Sequence, residues 1–153
     1  MKNNFSVFFS LSLIVFFVSC ASIETVKYSP DLTEENAATM ELNQWFEGYN
    51  FVWASLDIVK FDGTSVEWGG RDLIILLPEG KHNLDILMGW YAQNDYGRET
   101  WFDSDNISIT VQKGEKYYIQ CVPTVFKRTV EVQISNSENR IIFSNIFTLN
   151  HRI

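Results

Sequence analysis

Cysteine, histidine and proline are scarce in this chain of 153 residues, which contains two, two and three of them respectively. With only Cys20 and Cys121, the chain lacks the disulfide framework that holds many small secreted domains together. It also lacks a paired-cysteine metal motif, a glycine-rich phosphate loop and a Gly-x-Ser-x-Gly elbow. The sequence therefore predicts no catalytic residue, no metal site and no cofactor.

Positive charge is also in short supply, because 12 Lys and Arg residues stand against 19 Asp and Glu residues and the formal net charge is -7. The basic residues are spread along the chain and form no stripe. An acidic surface repels the phosphate backbone of nucleic acids. We therefore expect no nucleic-acid partner.

Long apolar runs are absent except near the start of the chain. Residues 5–18 are fourteen in number, are apolar apart from three serines, and follow Lys2. A helix needs roughly 20 apolar residues to span a bilayer, so this run is too short for a permanent transmembrane helix. A basic start followed by a short apolar core is the order of a secretory signal, and we expect residues 1–19 to be one.

The apolar core ends in Phe17-Val18-Ser19-Cys20-Ala21, which resembles the lipobox of bacterial lipoproteins. The resemblance implies cleavage before Cys20 and attachment of lipid to its sulfur, because that is how lipobox cysteines are processed. Two or more acyl chains anchor a protein stably at a membrane. The residue after the cysteine is Ala21 rather than Asp, and by resemblance to the sorting rule of enteric bacteria this implies the outer membrane of the cell envelope. The alternative is ordinary cleavage after Ala21, since Ser19-Cys20-Ala21 also fits the small-x-small rule.

Residues 20–37 show no clear hydrophobic period and predict a lipidated tether. Within them, Ser29-Pro30-Asp31 is followed by Glu34 and Glu35, which is the capping residue, early proline and acidic first turn of a helix start. We therefore expect a short helix or a single helical turn there. The folded domain is expected over residues 38–148, with a C-terminal tail at 149–153.

From residue 38 onward the hydrophobic period is close to two, which indicates β-strands. Turn signals such as Asp62-Gly63, Pro78-Glu79-Gly80 and Lys113-Gly114 separate the alternating runs. Short strands that are separated by such turn signals, with no long helix between them, predict an all-β fold. We expect an antiparallel β sandwich of seven to nine strands. The alternation assigns to its inner face Leu84, Ile86, Met88, Ile107, Ile109, Val111, Val130 and Val132.

The order of signals between Leu56 and Cys121 is similar to that of the PEGA domain and related β modules of bacterial envelope lipoproteins. The matching pieces are Phe61-Asp62-Gly63, Leu77-Pro78-Glu79-Gly80 and Val111-Gln-Lys-Gly114. The resemblance implies an immunoglobulin-like sandwich. It also implies a non-catalytic module.

Two single residues and one acidic stretch are of the types that catalytic or metal-binding sites use. His82 alternates with aliphatic residues and has no second histidine on its face, so we expect a structural hydrogen bond at the core edge. Cys121 alternates with Tyr117 and Ile119, which favours a small buried hydrophobe. The stretch Asp103-Ser-Asp-Asn106 lacks the glycine and distant glutamate of a calcium loop, and we expect a solvated connection between strands.

Aromatic residues make up 15% of the chain and cluster twice, over residues 45–53 and 90–102. The second cluster predicts a hairpin or long loop from 90 to 101, with Trp90 facing inward by alternation and Tyr96 at the tip. Core packing explains most of these rings, but a ring in such a tip is hard to bury. The candidate ligand contacts are Trp90, Tyr91, Tyr96 and Trp101.

Two functions remain open on this evidence. The first is a non-enzymatic, membrane-anchored envelope module that binds a protein partner or belongs to an assembly. The alternative is a carbohydrate-binding lipoprotein whose aromatic loop stacks on a sugar ring.

Overall fold

The computed structural model of this protein describes residues 24–43, 45–47, 51–66, 72–94, 97–124 and 128–152. Two predicted features, the signal peptide with the lipidated Cys20 and the loop tip with Tyr96, lie outside these ranges. The described part of the chain contains strands and turns and no helix.

The predicted all-β sandwich is confirmed, with more strands than the alternation shows. The strands are β1 Glu24–Lys27, β2 Ala38–Asn43, β3 Trp45–Glu47, β4 Val52–Phe61, β5 Thr64–Ser65, β6 Asp72–Leu77, β7 Gly80–Asn94, β8 Gly97–Val111, β9 Lys116–Pro123, β10 Thr129–Asn136, β11 Ile141–Thr148 and β12 His151–Arg152. The additional strands β1, β3, β5 and β12 have four residues or fewer. Such a length leaves too few positions for a period of two to be recognised.

The strands form two sheets. The first sheet has the order β1-β6-β2-β9-β10-β11, and the second has the order β12-β8-β7-β4-β3, with β5 paired to β4. Most neighbours are antiparallel, but β1 pairs with β6 and β2 pairs with β9 in parallel. The longest pairing is the β7–β8 hairpin, which runs from Gly80 opposite Val111 to Asn94 opposite Gly97. The hairpin predicted between residues 90 and 101 is therefore present as the end of this pairing.

The core lies between the sheets and is built from alternate residues of their long strands. All eight residues that the sequence assigns to the inner face are buried. Burial of one such side chain stabilises the fold by about 1.5 to 3 kcal/mol relative to its exposure to water. The alternation of apolar residues in β7, β8 and β10 therefore identifies the side chains that face the opposite sheet.

The segment predicted as a tether, residues 20–37, is part of the fold from Glu24 onward. Strand β1 pairs in register with β6, its Val26 packs against the core, and Ala37 is fully buried. The sequence did not show this because a four-residue strand with one inward apolar side chain has no readable period.

A short helix or a single helical turn was expected in that segment, and the structure has no helix there but two single turns. In one turn the Leu32 N–H donates to the Ser29 carbonyl at 3.1 Å, and in the other the Asn36 N–H donates to the Thr33 carbonyl at 3.1 Å. The Asn36 side chain in turn accepts the Thr33 N–H at 2.7 Å. Such local side-chain bonds compete with helix formation, and here they hold the chain in single turns.

The predicted C-terminal tail is also part of the fold. Leu149 is only 2% exposed and belongs to the core. The chain then crosses to the second sheet, where His151 and Arg152 pair with Phe102 and Trp101 of β8. A single apolar residue between polar neighbours gives no pattern, which is why the sequence predicted a tail.

Candidate functional site

The two aromatic clusters of the sequence meet on the second sheet. In the register of β4, β7 and β8, Trp53 lies opposite Tyr91, and Tyr91 lies opposite Thr100. Residues opposite each other share a sheet face, so these three side chains form a row. Their chain neighbours Ala54 and Trp90 are buried in the core, which places the row on the outer face.

The next row toward the sheet's end adds polar groups. Gln93 lies opposite Arg98, and the Gln93 N–H donates to the Phe51 carbonyl at 3.2 Å. We call Phe51, Trp53, Tyr91, Gln93 and Arg98 the aromatic end of the second sheet. It combines three rings with an amide and a guanidinium group.

Phe51 is the most exposed large apolar side chain among the described residues, at 73%. Its φ of 58° places it in the left-handed region, which a bulky residue rarely adopts. Such a backbone conformation costs on the order of 1 to 3 kcal/mol and persists only where the surroundings impose it. The fold therefore holds a large ring in water at a strained position, which core packing does not explain.

A cavity of about 210 Å³ opens at this end of the sheet. Typical sites for drug-sized ligands are roughly 300 to 1,000 Å³, so this cavity suits a single small ring or one side chain of a partner. Two aromatic rings provide apolar contact, and amide, guanidinium, carboxylate and hydroxyl groups provide hydrogen bonds. The lining residues are Trp53, Tyr91, Ala92, Gln93, Arg98, Glu99 and Thr100.

The ring of Tyr91 is held in place by its neighbours. Its hydroxyl lies 3.2 Å from the Ser55 hydroxyl. A Cβ atom on Gly89 would come within 2.6 Å of the Ser55 Oγ and 2.7 Å of the Tyr91 hydroxyl. The ring therefore lies along the backbone of Gly89, and only a residue without a side chain leaves room for it.

Trp90, a predicted contact residue, is a core side chain. It is 5% exposed, and its indole Nε1 donates to the Thr124 carbonyl at 2.9 Å. The same alternation that turns Tyr91 outward turns Trp90 toward the first sheet. It is therefore not available as a surface contact.

Trp101 is partly buried, and one face of its ring is covered. The Arg128 guanidinium carbon lies 3.9 Å from the ring centroid, and that of Arg152 lies 6.0 Å away. The indole Nε1 also donates to the Glu99 carboxylate at 3.4 Å. A cation over a tryptophan ring stabilises by about 0.5 to 1 kcal/mol at exposed sites. Trp101 thus links the β10 end and the C-terminal strand to β8.

Of the four predicted contacts, the structure places Tyr91 at the cavity. Trp90 and Trp101 do not line it, and Tyr96 lies outside the described residues. Sequence reasoning did not select Trp53, Gln93 or Arg98. Trp53 belongs to the first aromatic cluster, so its ring was visible in the sequence. The pairing of β4 with β7, which joins the two clusters, was not.

His82 lies far along β7 from the aromatic end and has the predicted structural role. It is buried, with Nδ1 at 2.8 Å from the Asp62 carboxylate and Nε2 at 2.8 Å from the Pro78 carbonyl. The Asn83 N–H also donates to Asp62 at 2.8 Å. That backbone hydrogen bond, followed by the contact with His82, holds the pKa of Asp62 below its usual value. The imidazole thus ties the turn after β4 to the turn before β7.

The sequence predicted the environment of Cys121 correctly and that of the acidic stretch only in part. Cys121 is fully buried, and burial raises the pKa of its thiol to about 12, so it is the small neutral core group that the alternation predicts. Ser104, Asp105 and Asn106 are exposed, as expected, but the prediction of a connection between strands was wrong, because residues 103–106 lie inside β8. Asp103 there accepts a hydrogen bond from the Asn150 amide at 3.0 Å, which lowers the pKa of the carboxyl.

Over the described ranges, no helix is long and apolar enough to cross a membrane. The same ranges contain no group of three or more His, Cys, Asp or Glu side chains arranged to hold a metal ion. No protein-family model, curated protein or solved structure matches the chain.

Proposed function

We propose that this protein is a lipoprotein of the bacterial cell envelope, anchored at the outer membrane by lipid on Cys20. Its sandwich acts as a PEGA-like, non-enzymatic module that binds a protein partner through the aromatic end of the second sheet. The observation that carries the binding proposal is the exposed, strained Phe51 beside the Trp53–Tyr91 row.

The composition of the aromatic end supports a protein partner. Residues that dominate protein–protein binding energies are enriched in Trp, Tyr and Arg, and they cluster in places that a partner can dehydrate. Trp53, Tyr91 and Arg98 are of these types and line one cavity. Because Tyr91 is already held against Gly89, little side-chain entropy is lost when a partner covers it.

The start of β1 at Glu24 adds a geometric constraint to the anchoring proposal. Four peptide steps separate residue 20 from residue 24, and an extended chain spans at most about 3.6 Å per residue. Lipid on Cys20 therefore holds the start of the first sheet within about 14 Å of the anchor. The domain is accordingly held close to the membrane by its first strand.

The anchor is tested by the mass of the mature N-terminus and by cell fractionation. We expect a mature chain that begins at Cys20 and carries lipid, and we expect Cys20→Ser to move the protein out of the membrane fraction. An unmodified mature chain that begins at Ser22 contradicts the proposal.

Partner binding is tested by copurification from membranes with the lipidated protein. We expect a specific partner with the native protein and with Val59→Ala, a half-exposed position elsewhere on β4, and loss of that partner with Phe51→Ala and Trp53→Ala. Thermal melting of each variant shows that the domain remains folded. Recovery of the same partner with all four proteins contradicts binding through the aromatic end.

A carbohydrate ligand is the second candidate, and the cavity is the observation that favours it. The C–H face of one sugar ring can stack on Trp53 or Tyr91 while its hydroxyl groups bond to Gln93, Arg98 or Thr100. A glycan array with the mature domain, followed by titration of tryptophan fluorescence, tests this. Saturable binding that Trp53→Ala abolishes supports a glycan, and an array without a hit contradicts it.

A further inference from the structure

The direction of β1 is set by its neighbours in the first sheet. Strand β1 is parallel to β6, β6 is antiparallel to β2, and β2 is parallel to β9, so β1 and β9 run in opposite directions. Strand β9 runs toward the aromatic end, because Thr124, the residue after it, accepts the hydrogen bond from Trp90 beside Tyr91. The chain followed backward from Lys27 to Glu24 therefore approaches the aromatic end.

The register gives the distance that remains between Glu24 and the aromatic end. A row of paired residues crosses the first sheet at the start of β1, and its members are Glu24, Leu73, Leu42 and Ile119. Two residues farther along β9, the Cys121 thiol lies 3.9 Å from the Ser55 carbonyl of the second sheet. Phe51 precedes Ser55 by four residues. Phe51 therefore lies about six residues, or about 20 Å, beyond Glu24 along the strands.

The segment between Cys20 and Glu24 is shorter than this distance. Its four peptide steps span at most about 14 Å. With the strands along the membrane normal, Phe51 then reaches about 6 Å or more beyond the backbone of Cys20. Apolar side chains of interfacial proteins lie about 5 to 10 Å into the boundary between lipid headgroups and acyl chains. With Cys20 at the headgroups, the Phe51 ring is at the depth of that boundary.

The side chains of the aromatic end are those that membrane interfaces favour. Phe51 is exposed, and Trp53 and Tyr91 beside it are partly exposed. Tryptophan and tyrosine are enriched at the level of the lipid headgroups, where one part of the ring is apolar and the other meets water. Arg98 has an apolar stem and a charged head that can remain among the headgroups. Contact with lipid therefore removes exposed rings from water without burying a charge.

Acidic groups at the aromatic end determine the kind of lipid that fits. Glu99 lines the same cavity and lies 3.9 Å from the Arg128 guanidinium. Glu47 in β3 lies opposite Trp53 in the register. These acids offset the arginines, so net charge does not draw this end of the domain to anionic lipid. The interface that fits is zwitterionic, with phosphocholine or phosphoethanolamine headgroups.

We propose that the aromatic end faces the membrane that carries the anchor, and that Phe51 and Trp53 lie at its lipid interface. The inference rests on the lipid anchor of the proposed function. A protein partner then takes the place of lipid at these rings, so the membrane keeps them out of water until the partner binds.

Single-cysteine labelling tests this orientation on the mature lipidated protein in phosphatidylcholine vesicles. The sulfur of Cys20 carries the lipid, and Cys121 is fully buried with a thiol pKa raised to about 12, so a labelling reagent reacts with an introduced surface cysteine. We expect a nitrobenzoxadiazole label on Phe51→Cys to emit at shorter wavelength than in water. We also expect lipids with a nitroxide on the acyl chain to quench it, because position 51 lies at the depth of the interface.

Three control positions distinguish the orientations of the domain. Val59→Cys lies eight residues farther along β4, and Ser137→Cys lies in the turn after β10, at the opposite end of the sandwich. Lys27→Cys lies on β1 and reports a domain that rests on its β1 edge. We expect labels at all three positions to keep the emission of a label in water and to escape quenching. Thermal melting shows that each labelled variant is folded.

The outcomes separate this inference from the proposed function. A mature chain without lipid on Cys20 contradicts the anchor itself. A lipidated protein whose label at position 51 stays in water, or is quenched no more than the label at position 27 or 137, overturns the orientation alone. Quenching confined to position 51 supports it.

Discussion

Gly89 is the residue whose missing side chain shapes the proposed binding surface. A methyl group there would collide with the Ser55 and Tyr91 hydroxyls. We therefore expect Gly89→Ala to destabilise the domain by about 1 to 3 kcal/mol, the usual cost of overpacking, and to displace the Tyr91 ring. Urea unfolding measures the loss.

The double variant Gly89→Ala/Tyr91→Ala is the control for that collision. Without the tyrosine ring, the added methyl group has room, and Ser55 can rotate its hydroxyl away. We expect the alanine at Gly89 to cost less than about 0.5 kcal/mol in the Tyr91→Ala background. An equal cost in both backgrounds shows that the ring does not lie on Gly89.

Asp62 makes the stability of the fold depend on acid pH. Its folded-state pKa is lowered, first by the Asn83 N–H and then by His82, so the folded protein binds this proton less readily than the unfolded chain does. The stabilisation is complete above the unfolded-state pKa of about 3.9 and is lost as the pH falls through the folded-state value. We expect stability to decline below about pH 4.

Asp62→Asn tests the source of this acid dependence. The amide does not titrate, so the variant is expected to have a flatter stability profile below about pH 4. At pH 7 it is expected to be about 1 kcal/mol less stable, because the partly exposed carboxylate accepts bonds from both His82 and Asn83. Chemical unfolding at several pH values measures both effects, and parallel profiles for the two proteins contradict the assignment.

At the scale of elements, the crossing of the chain from β11 to β12 depends on one buried side chain. Leu149 is in the core, although the sequence predicts a tail there. We expect Leu149→Ala to cost about 2 to 5 kcal/mol, as for other buried leucines. Val122→Ala, at an exposed position on β9, is expected to change stability by less than about 0.5 kcal/mol. Thermal unfolding of the two variants compares them, and equal small losses would show that Leu149 does not belong to the core.

The strands that could be predicted from the sequence are those long enough for their side chains to alternate several times between the two faces of the sheet. Strands β7, β8 and β10 are long enough to display alternation, and their inner residues were assigned correctly. The short strands β1, β3 and β12 owe their existence to pairing with a neighbour. That pairing is a property of the assembled sheet, and no local pattern encodes it.

At the scale of the whole molecule, the site could be predicted only in part for the same reason. Tyr91 was selected because it follows an alternating run. Trp53 and Arg98 join it through the register of β4, β7 and β8, across 38 and 7 positions of the chain. Long-range register follows from how all strands share one core, so a single sequence does not reveal it. The one indication of the site in the sequence was that aromatic residues are concentrated in the two clusters.

The anchor and the aromatic end together define the central claim, that a membrane-held module binds a protein through Phe51 and its neighbours. Photo-crosslinking in cells tests it most directly, with a benzophenone amino acid placed at position 51 or, as the matched control, at Val59. We predict a defined crosslinked product of higher mass at position 51 that is missing at position 59 and is lost with Trp53→Ala. No product at position 51, or the same product at both positions, would contradict the account.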